Sequence, residues 1–429
     1  MAVRGFANLD MKIRNKVLLE TVFAFKGDWS PGIEPGRRVF DGVEIAPFKN
    51  DAKAAACISA DLEMSWAFRR HAMEVARERG SQSRENIPYL LRIFEECAFP
   101  ITWATVGHLF LDRCERASSG RAHPDMPRPP DNQLWRGDWY MHDPCTNYKK
   151  DPFWYAPDVI RSIQESSVGH EIGTHSFSHI DFSPECSHPT LVRREIEESA
   201  TAMQCFGISP RSLAYPFNKM GHAYLDLLSE LSITAVRHRD RRVRLSYPER
   251  TVSGVHKLYE SMNLRSPKHY DYVAKVKLFM AKAMERRAVF HLWFHPSDPA
   301  SLFENELLRI IQYIDAQRRK GLVWIATMGE ISAYCEARER LRPEVERREG
   351  ELRISWRGSF ENDKYGSTEL SLIFPAVPRP RKVIMGDGGD VLHMEASSSV
   401  EANNSNVRMA EGRVLINMPT TARSLRLVF

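Results

Sequence analysis

Three histidines lie close together in the stretch GHEIGTHSFSHID, residues 169–181. His175 and His179 are four residues apart, so on a helical turn their rings would share one face and could converge on one metal ion. Taken alone, such a pair, with His170 nearby, is more typical of partly buried core histidines at the start of a helix. A metal site therefore requires further ligands from another part of the chain.

Two carboxylates end the first apolar run of the chain, in ISADLEMSW. Asp61 and Glu63 are two residues apart, so on an extended strand both would point to the same side, about 7 Å apart. If this strand and the GHEIGTH strand share one parallel sheet, both motifs lie at carboxyl-terminal strand ends, where active sites of barrels are found. One carboxylate and two neutral imidazoles would then form a metal site open to water and substrate, while the other carboxylate is free to act as a general base.

Two later strand ends supply further candidates. In FHLWFHPSD, His295 lies just past the strand, whereas His291 lies within it. A histidine at the mouth of a barrel could protonate a leaving amine. In SLAYPFNKMG, Pro216 fixes a bend at which the backbone N–H of Phe217 could face a developing oxyanion.

These motifs belong to a repeated strand-then-helix pattern that begins near residue 54. Seven apolar runs have strand length: AAACISA, ITWATVGHLF, SVGHEIGTH, RSLAYPF, SITAVRH, AVFHLWF and LVWIAT. The segments between them place apolar residues at intervals of three and four, as in NIPYLLRIFEECA, which predicts amphipathic helices. Repeated strand-then-helix units predict a parallel sheet, and seven units can close a barrel or nearly so.

The pattern changes after the charged linker ARERLRPEVERREGEL. Beyond it, short runs such as LRISWRG and STELSLIF alternate apolar with polar residues between Gly, Asn and Asp turns. We therefore expect a barrel region over residues 1–345, with a core of about 54–335, followed by a small antiparallel β-sandwich over residues 346–429.

The order of the motifs resembles the polysaccharide deacetylase family with NodB homology, carbohydrate esterase family 4, over residues 54–335. Asp-x-Glu comes first, then HEIGTHSFSH, a proline-containing strand end and a late histidine. The resemblance implies a distorted (β/α)7 barrel that removes an N-acyl group, most simply acetyl, from an amino sugar. It implies one divalent metal ion, with zinc expected and cobalt, nickel or manganese as alternatives. The implied roles are catalytic base for Asp61, metal ligands for Glu63, His175 and His179, and general acid for His295.

Two motifs depart from the family pattern. The first is Asp-x-Glu, where many members have adjacent aspartates. The third is Ala214-Tyr215-Pro216-Phe217, where many members have Arg-x-Pro-Tyr. The arginine that orients the base is thus missing, and Arg211, Lys219 or an arginine after the fifth strand could replace it.

The connection from residue 111 to 157 is a candidate substrate wall. It is far longer than the usual two to six residues, and its aromatic content argues against disorder. Trp and Tyr rings suit sugar faces, although they could also pin a long loop to the barrel. The candidates are Trp135, Trp139, Tyr140, Trp154 and Tyr155. In RHRDRRVRL, Arg237 and Arg239 suggest an anionic saccharide, with a solvated basic surface as the alternative.

Composition excludes several classes of protein. The net charge of +5 in 429 residues shows no basic tail, so we expect no nucleic-acid partner. The sequence has no uninterrupted stretch of about 18 apolar residues, so we expect no transmembrane helix. The N-terminus lacks the features of a signal peptide. The seven cysteines are odd in number and never spaced as CxxC, which suggests neither disulfides nor a thiolate zinc site and favours a reducing cytoplasm.

Three other functions compete with a deacetylase. The same metal site could hydrolyse a small cyclic ureide or imide. An inactive carbohydrate-binding barrel would explain the missing arginine of the third motif. A two-histidine, one-carboxylate iron oxygenase shares the ligand types, but the parallel pattern and the distance in sequence between Glu63 and the histidine pair argue against it.

Overall fold

A computed structural model describes residues 30, 32–131, 135–265, 271–375, 380–386, 390–393, 407–410 and 413–429. The expectation about a signal peptide concerns residues 1–29, outside this part of the chain. The first strands described are β1 (Val39–Phe40) and β2 (Val43–Ile45), an antiparallel pair. Asp41 and Gly42 join them with φ of 49° and 83°, as a tight hairpin turn requires.

One sheet of ten strands forms the centre of the protein. Its strands are β3 (Ala54–Leu62), β4 (Thr102–Thr105), β5 (Glu171–Thr174), β6 (Ser212–Ala214), β7 (Ala235–His238), β8 (Glu249–Arg250), β9 (His256–Tyr259), β10 (Met262–Leu264), β11 (Val289–Phe294) and β12 (Val323–Ile325). Apart from the short antiparallel strand β8, all paired neighbours are parallel.

The order of the strands makes this sheet a distorted (β/α) barrel. The path runs β11-β3-β4-β5-β6-β7-β9, and β10, which continues the chain just after β9, pairs with β11. The ring thus closes through β9 and β10, a segment that the sequence analysis did not predict as a strand. The predicted strand at LVWIAT is present as β12, but it pairs only with the first half of β3.

Helices follow most of the barrel strands. Those relevant here are α1 (Met73–Glu96), α2 (Pro157–Gln164), α3 (Pro189–Gln204), α4 (Leu225–Glu230), α5 (Tyr272–Arg286), α6 (Leu308–Arg319), α7 (Met328–Arg340) and α8 (Asn362–Tyr365). A short turn, Ala300–Leu302, and a π-helical segment, Phe303–Leu307, precede α6. Because helices cover the outside of the sheet, every residue of β3 is buried. Among the described helices, none has the length and apolar character needed to cross a membrane.

The remaining strands form two antiparallel sheets packed face to face. They are β13 (Arg342–Arg348), β14 (Glu351–Arg357), β15 (Glu369–Pro375), β16 (Lys382–Met385), β17 (Asp390–His393), β18 (Val407–Ala410), β19 (Arg413–Pro419) and β20 (Ser424–Val428). One sheet has the order β13-β14-β20-β16-β17 and the other the order β1-β2-β15-β19-β18. The predicted β-sandwich is therefore present, and the N-terminal hairpin completes one of its sheets.

The last helix of the barrel connects the two parts. Tyr334 and Ala337 of α7 are buried in the apolar core of the sandwich, and the Tyr334 hydroxyl donates a hydrogen bond to the carbonyl of Ala46 at 2.9 Å. Strand β13 begins at Arg342, ahead of the expected boundary at residue 346. We accordingly propose to count the hairpin of residues 39–45 and residues 342–429 as the second domain.

Candidate active site

Both predicted carboxylates lie at the carboxyl-terminal end of β3. Asp61 is in the strand and Glu63 directly follows it, and they are only 3% and 5% exposed. Met64, the next residue, has a φ of 44°, so the chain bends sharply at this point. Such left-handed backbone in a residue other than glycine costs energy and persists only where the surrounding structure enforces it.

His175 and His179 reach the same point from the end of β5. The expected helical turn is not formed: the backbone here is irregular, with φ of 60° at both Ser176 and His179. The bend still brings the two rings together, with their centroids 4.9 Å apart. Buried Glu195 holds the turn in place, because it accepts hydrogen bonds from the Ser178 N–H and hydroxyl at 2.8 and 2.6 Å.

The third histidine of the stretch has a different place. His170 precedes β5 and so lies at the opposite end of the barrel, where its Nδ1 accepts a hydrogen bond from the Ile101 N–H at 3.2 Å. Its ring packs edge-on against Phe94 and Trp103. His170 is a core histidine and takes no part in the candidate site.

The ligand atoms of Glu63, His175 and His179 all lie within 4.8 Å of one another. One oxygen of Glu63 is 3.3 Å from Nε2 of His175 and 2.8 Å from Nε2 of His179. His175 donates its Nδ1–H to the Ala214 carbonyl at 2.7 Å, which leaves the lone pair of Nε2 directed at the Glu63 carboxylate. Nδ1 of buried His179 has no hydrogen-bond partner among the described residues, and its Nε2 faces the Glu63 carboxylate. The lone pair of a neutral imidazole nitrogen and a carboxylate oxygen repel each other unless a cation lies between them. These three residues therefore fit a divalent metal ion.

Asp61 has an arginine partner, Arg237, although the third motif lacks its arginine. It lies in β7, and its guanidinium donates to both oxygens of Asp61 at 2.5 and 2.7 Å. Burial alone would raise the pKa of Asp61, but the charge and hydrogen bonds of Arg237, together with His175 and His295, outweigh burial and lower the pKa below its usual value. Of the other replacements considered, Arg211 precedes β6 and donates to the backbone of Lys364, on the opposite side of the barrel.

The position of Arg237 corrects the expectation that it binds substrate. The residue is 2% exposed, and its guanidinium lies 4.5 Å from the ring centre of Trp293. Both terminal nitrogens of the guanidinium donate to Asp61, so neither is available to bind an anionic substrate. Arg239 has a side chain 57% exposed and pairs with Glu260 at 3.4 Å, and its role in substrate binding stays a prediction.

His295 completes the group from the end of β11. Its Nε2 is 3.3 Å from Glu63, and its Nδ1 is 3.4 Å from Asp298. Burial lowers the pKa of His295, but the carboxylates of Glu63 and Asp298 outweigh burial and raise the pKa above its usual value. Asp298 was missed by the sequence analysis, although it stands three residues after the histidine, within reach of the same turn.

Phe217 lies at the bend after β6, as predicted. Its φ is 56°, and that of Asn218 is 53°. The Phe217 ring packs edge-on against His179 at 4.4 Å between centroids, and the Asn218 side chain accepts a hydrogen bond from Arg237 at 3.4 Å. The bend after β6 therefore contacts both His179, a predicted metal ligand, and Arg237.

An aromatic cleft opens beside Phe217. It is lined by Trp66, Ala67, Arg69, Arg70, Trp135, Trp139, Asp181 and Phe217. Of the five aromatic residues predicted to contact substrate, Trp135 and Trp139 line this cleft. Sequence analysis missed Trp66 and buried Arg69, whose guanidinium lies 4.7 and 4.3 Å from the rings of Trp66 and Trp139.

The other three predicted aromatics lie behind the cleft wall. Tyr140, Trp154 and Tyr155 are 1%, 3% and 0% exposed, so they are part of the core. Trp154 packs edge-on against Trp66, and Tyr140 donates a hydrogen bond to Glu195 at 3.1 Å. The prediction that these three residues contact substrate is therefore wrong. Because they are buried, they instead hold the long segment against the barrel, which is the alternative given in the sequence analysis.

The fold and the site together define a (β/α) barrel with a buried carboxylate–histidine centre at the carboxyl-terminal ends of its strands. The family model for polysaccharide deacetylases matches residues 78–236, so the resemblance predicted from the motif order, to carbohydrate esterase family 4, is confirmed. The matched span includes His175, His179 and Phe217. Asp61 and His295 lie outside it, and only the structure brings them to the same site.

Comparison with solved structures gives distant likenesses. A Mycobacterium smegmatis protein named as a polysaccharide deacetylase has a TM-score of 0.49 at 16% identity, over 72% of this chain and 96% of its own. A Pseudomonas aeruginosa protein of the same name has a TM-score of 0.44 at 14% identity, over 67% and 92%. The allantoinase PuuE has a TM-score of 0.43 at 14% identity, over 67% of this chain and 92% of its own. These scores are too low to support the fold, which rests on the strand order. No curated protein sequence matches significantly.

Proposed function

We propose that this protein is a metal-dependent hydrolase that removes an N-acyl group, most simply acetyl, from an amino sugar. The observation that carries the proposal is the pairing of two buried carboxylates with different partners. Asp61 is held by Arg237 at 2.5 Å, whereas Glu63 faces the histidine nitrogens at 2.8 and 3.3 Å. One carboxylate is thus suited to act as a base and the other as a metal ligand.

The chain offers one group for each step of amide hydrolysis. A divalent ion held by Glu63, His175 and His179 would supply a Lewis acid for the acyl oxygen and for the attacking water. Asp61 accepts the proton of that water as oxygen adds to the acyl carbon. Arg237 keeps the Asp61 carboxylate ionised and fixes its direction.

The remaining groups act on the oxyanion and the leaving nitrogen. The backbone N–H of Phe217 donates to the oxygen that becomes negative, as oxyanion-hole donors do. His295, held by Asp298, gives a proton to the nitrogen as the carbon–nitrogen bond breaks. The products are a carboxylate, acetate in the simplest case, and a free amino sugar.

The cleft supports a saccharide as the substrate. Tryptophan faces suit the apolar faces of sugar rings, and half-buried Trp135 lines the cleft next to Phe217, with buried Trp139 and Trp66 behind it. If the saccharide is anionic, exposed Arg70 at this cleft is a better partner than Arg237, because Arg237 is already paired. Since all seven cysteines are free, we propose the cytoplasm as the location.

Acetate release from N-acetylhexosamine oligomers tests the proposal, with allantoin and succinimide as competing substrates. We expect acetate release that is lost in Asp61→Asn and retained in Arg92→Gln, which changes an exposed arginine of α1. Hydrolysis of a cyclic substrate alone would favour the ureide or imide hydrolase. Metal-independent glycan binding without any hydrolysis would favour an inactive binding barrel.

A further inference from the structure

A second cluster of metal-ligand side chains lies in the long connection between β4 and α2. Nε2 of His108 and Nε2 of His123 are 3.0 Å apart, and each is 2.9 Å from the same oxygen of Asp143. The Cys114 thiol is 3.3 Å from that oxygen. All four ligand atoms lie within 4.8 Å of one another, outside the site formed by Glu63 and the two histidines.

Hydrogen bonding at His108 argues for a cation in this cluster. Nδ1 of His108 lies 3.2 Å from the Trp154 carbonyl, which can only accept, so Nδ1 carries the hydrogen. The neutral ring then directs the lone pair of Nε2 at the carboxylate of Asp143, and both residues are almost fully buried. A lone pair and a carboxylate oxygen 2.9 Å apart repel one another, whereas a metal ion would bind both.

The ligand types and spacing suit a structural zinc ion. Zinc bonds of about 2.0–2.3 Å to nitrogen, oxygen and sulfur in a tetrahedron place the ligand atoms about 3.3–3.7 Å apart. The distances from the Asp143 oxygen to the two histidine nitrogens and to the thiol, 2.9–3.3 Å, would lengthen by only a few tenths of an ångström, and the remaining pairs of ligand atoms lie within 4.8 Å. Four protein ligands leave no open position, which is the arrangement of structural rather than catalytic sites.

The backbone of the segment is built to bring these ligands together. Residues 112–114 and 146–148 run antiparallel, with hydrogen bonds from the Cys114 N–H to Thr146 and from the Tyr148 N–H to Asp112. His123 has a φ of 45°, a costly conformation that must be maintained by its surroundings. The described parts of this segment, residues 111–131 and 135–156, contain no helix or strand, so a metal crosslink would replace the stabilisation that regular structure provides.

We infer that His108, Cys114, His123 and Asp143 bind a second, structural divalent cation of the zinc type, which holds the substrate wall in place. The His108 ring packs on Trp66 at 4.3 Å between centroids, and Trp66 lines the aromatic cleft. The cation would therefore support the cleft without touching substrate. The spacing of the cysteines does not indicate this site, because its ligands are spread over residues 108 to 143 and include no CxxC pair. The inference does not depend on the proposed function.

Cobalt spectroscopy tests this site independently of activity, because of the two clusters found among the described residues this is the one with a thiol ligand. The reduced protein would be stripped of metal and titrated with Co²⁺. We expect two bound ions per chain and a near-ultraviolet absorption from thiolate-to-cobalt charge transfer. That absorption should disappear in Cys114→Ser and persist in Cys97→Ser and in the double variant His175→Ala/His179→Ala, which should bind one ion.

A second measurement leaves the new site unchanged, in case Cys114→Ser does not fold. Zinc X-ray absorption of the His175→Ala/His179→Ala variant should show one sulfur neighbour at about 2.3 Å. Chelation should also lower the Tm of this variant. The inference is overturned if the double variant binds no metal, or if its metal has no sulfur neighbour. The four residues would then form an imidazolium–carboxylate network.

Discussion

Replacing Arg237 by glutamine tests whether this residue replaces the missing arginine of the third motif. The side chains of Arg237 and Asp61 are 1% and 4% exposed, so water cannot compensate either charge when the other is removed. Removal of one partner from such a buried pair destabilises a protein by about 3–5 kcal/mol. Misplacement of the base should in addition lower kcat by about 100-fold.

A double-mutant cycle separates this role from general damage to the fold. In the Asp61→Asn background the carboxylate charge is already gone, so Arg237→Gln should cost much less stability than in the wild type. The coupling energy should be about 2 kcal/mol or more, measured by denaturant unfolding of the four proteins. Arg239→Gln is the matched control, because an exposed arginine should change stability by no more than about 0.5 kcal/mol.

Activity is measured as acetate release, with kcat and KM determined separately. We expect Arg237→Lys to remain impaired, since an ammonium cannot donate to both carboxylate oxygens in the geometry of a guanidinium. Additive effects of Asp61→Asn and Arg237→Gln on stability, or near wild-type kcat in Arg237→Gln, would refute the assignment of this arginine to the base.

Three further predictions concern the cleft, the proton donor and the core. Trp135→Ala should raise KM by about five-fold or more through lost ring stacking, whereas Trp154→Phe, behind the wall, should lower Tm and leave KM unchanged. Asp298→Ala should lower kcat by about ten-fold because His295 loses its orienting partner, with KM little changed. Burial lowers the pKa of His170 from 6.5 to about 4, so the unfolded chain takes up a proton first as the pH falls. The free energy of unfolding should therefore decline between these pH values, and His170→Leu should show a smaller decline in acid unfolding experiments.

The barrel was predictable because the apolar residues of its strands and of its helices follow different spacings along the sequence. Apolar runs such as AAACISA became buried strands, and the amphipathic segments became helices. The ring-closing strands β9 and β10 were missed because HKLYESMNL alternates apolar with charged residues and lacks a continuous apolar run. The hairpin at Asp41-Gly42 carried a recognisable turn signal, but its pairing with β15 is a long-range contact that local sequence does not encode.

Parts of the candidate site were also predictable from the sequence. Residues at the ends of parallel strands meet at one edge, so Asp61, Glu63 and the histidine pair could be associated from strand order alone. The pairing of Asp61 with Arg237 could not be predicted, because Arg237 comes from a different strand. Its side-chain rotamer decides whether the guanidinium points to solvent or to the carboxylate. The burial of Trp154 likewise depends on how an irregular segment folds back on the barrel.

Metal content and acetate release, measured on the same samples of wild type and His175→Ala/His179→Ala, show whether these histidines hold a catalytic metal ion. We expect the double variant to lose one metal ion per chain relative to the wild type and, with it, all acetate release from N-acetylhexosamine oligomers. Equal metal content in the two proteins, or full acetate release by the double variant, would contradict the claim that these histidines hold a catalytic metal.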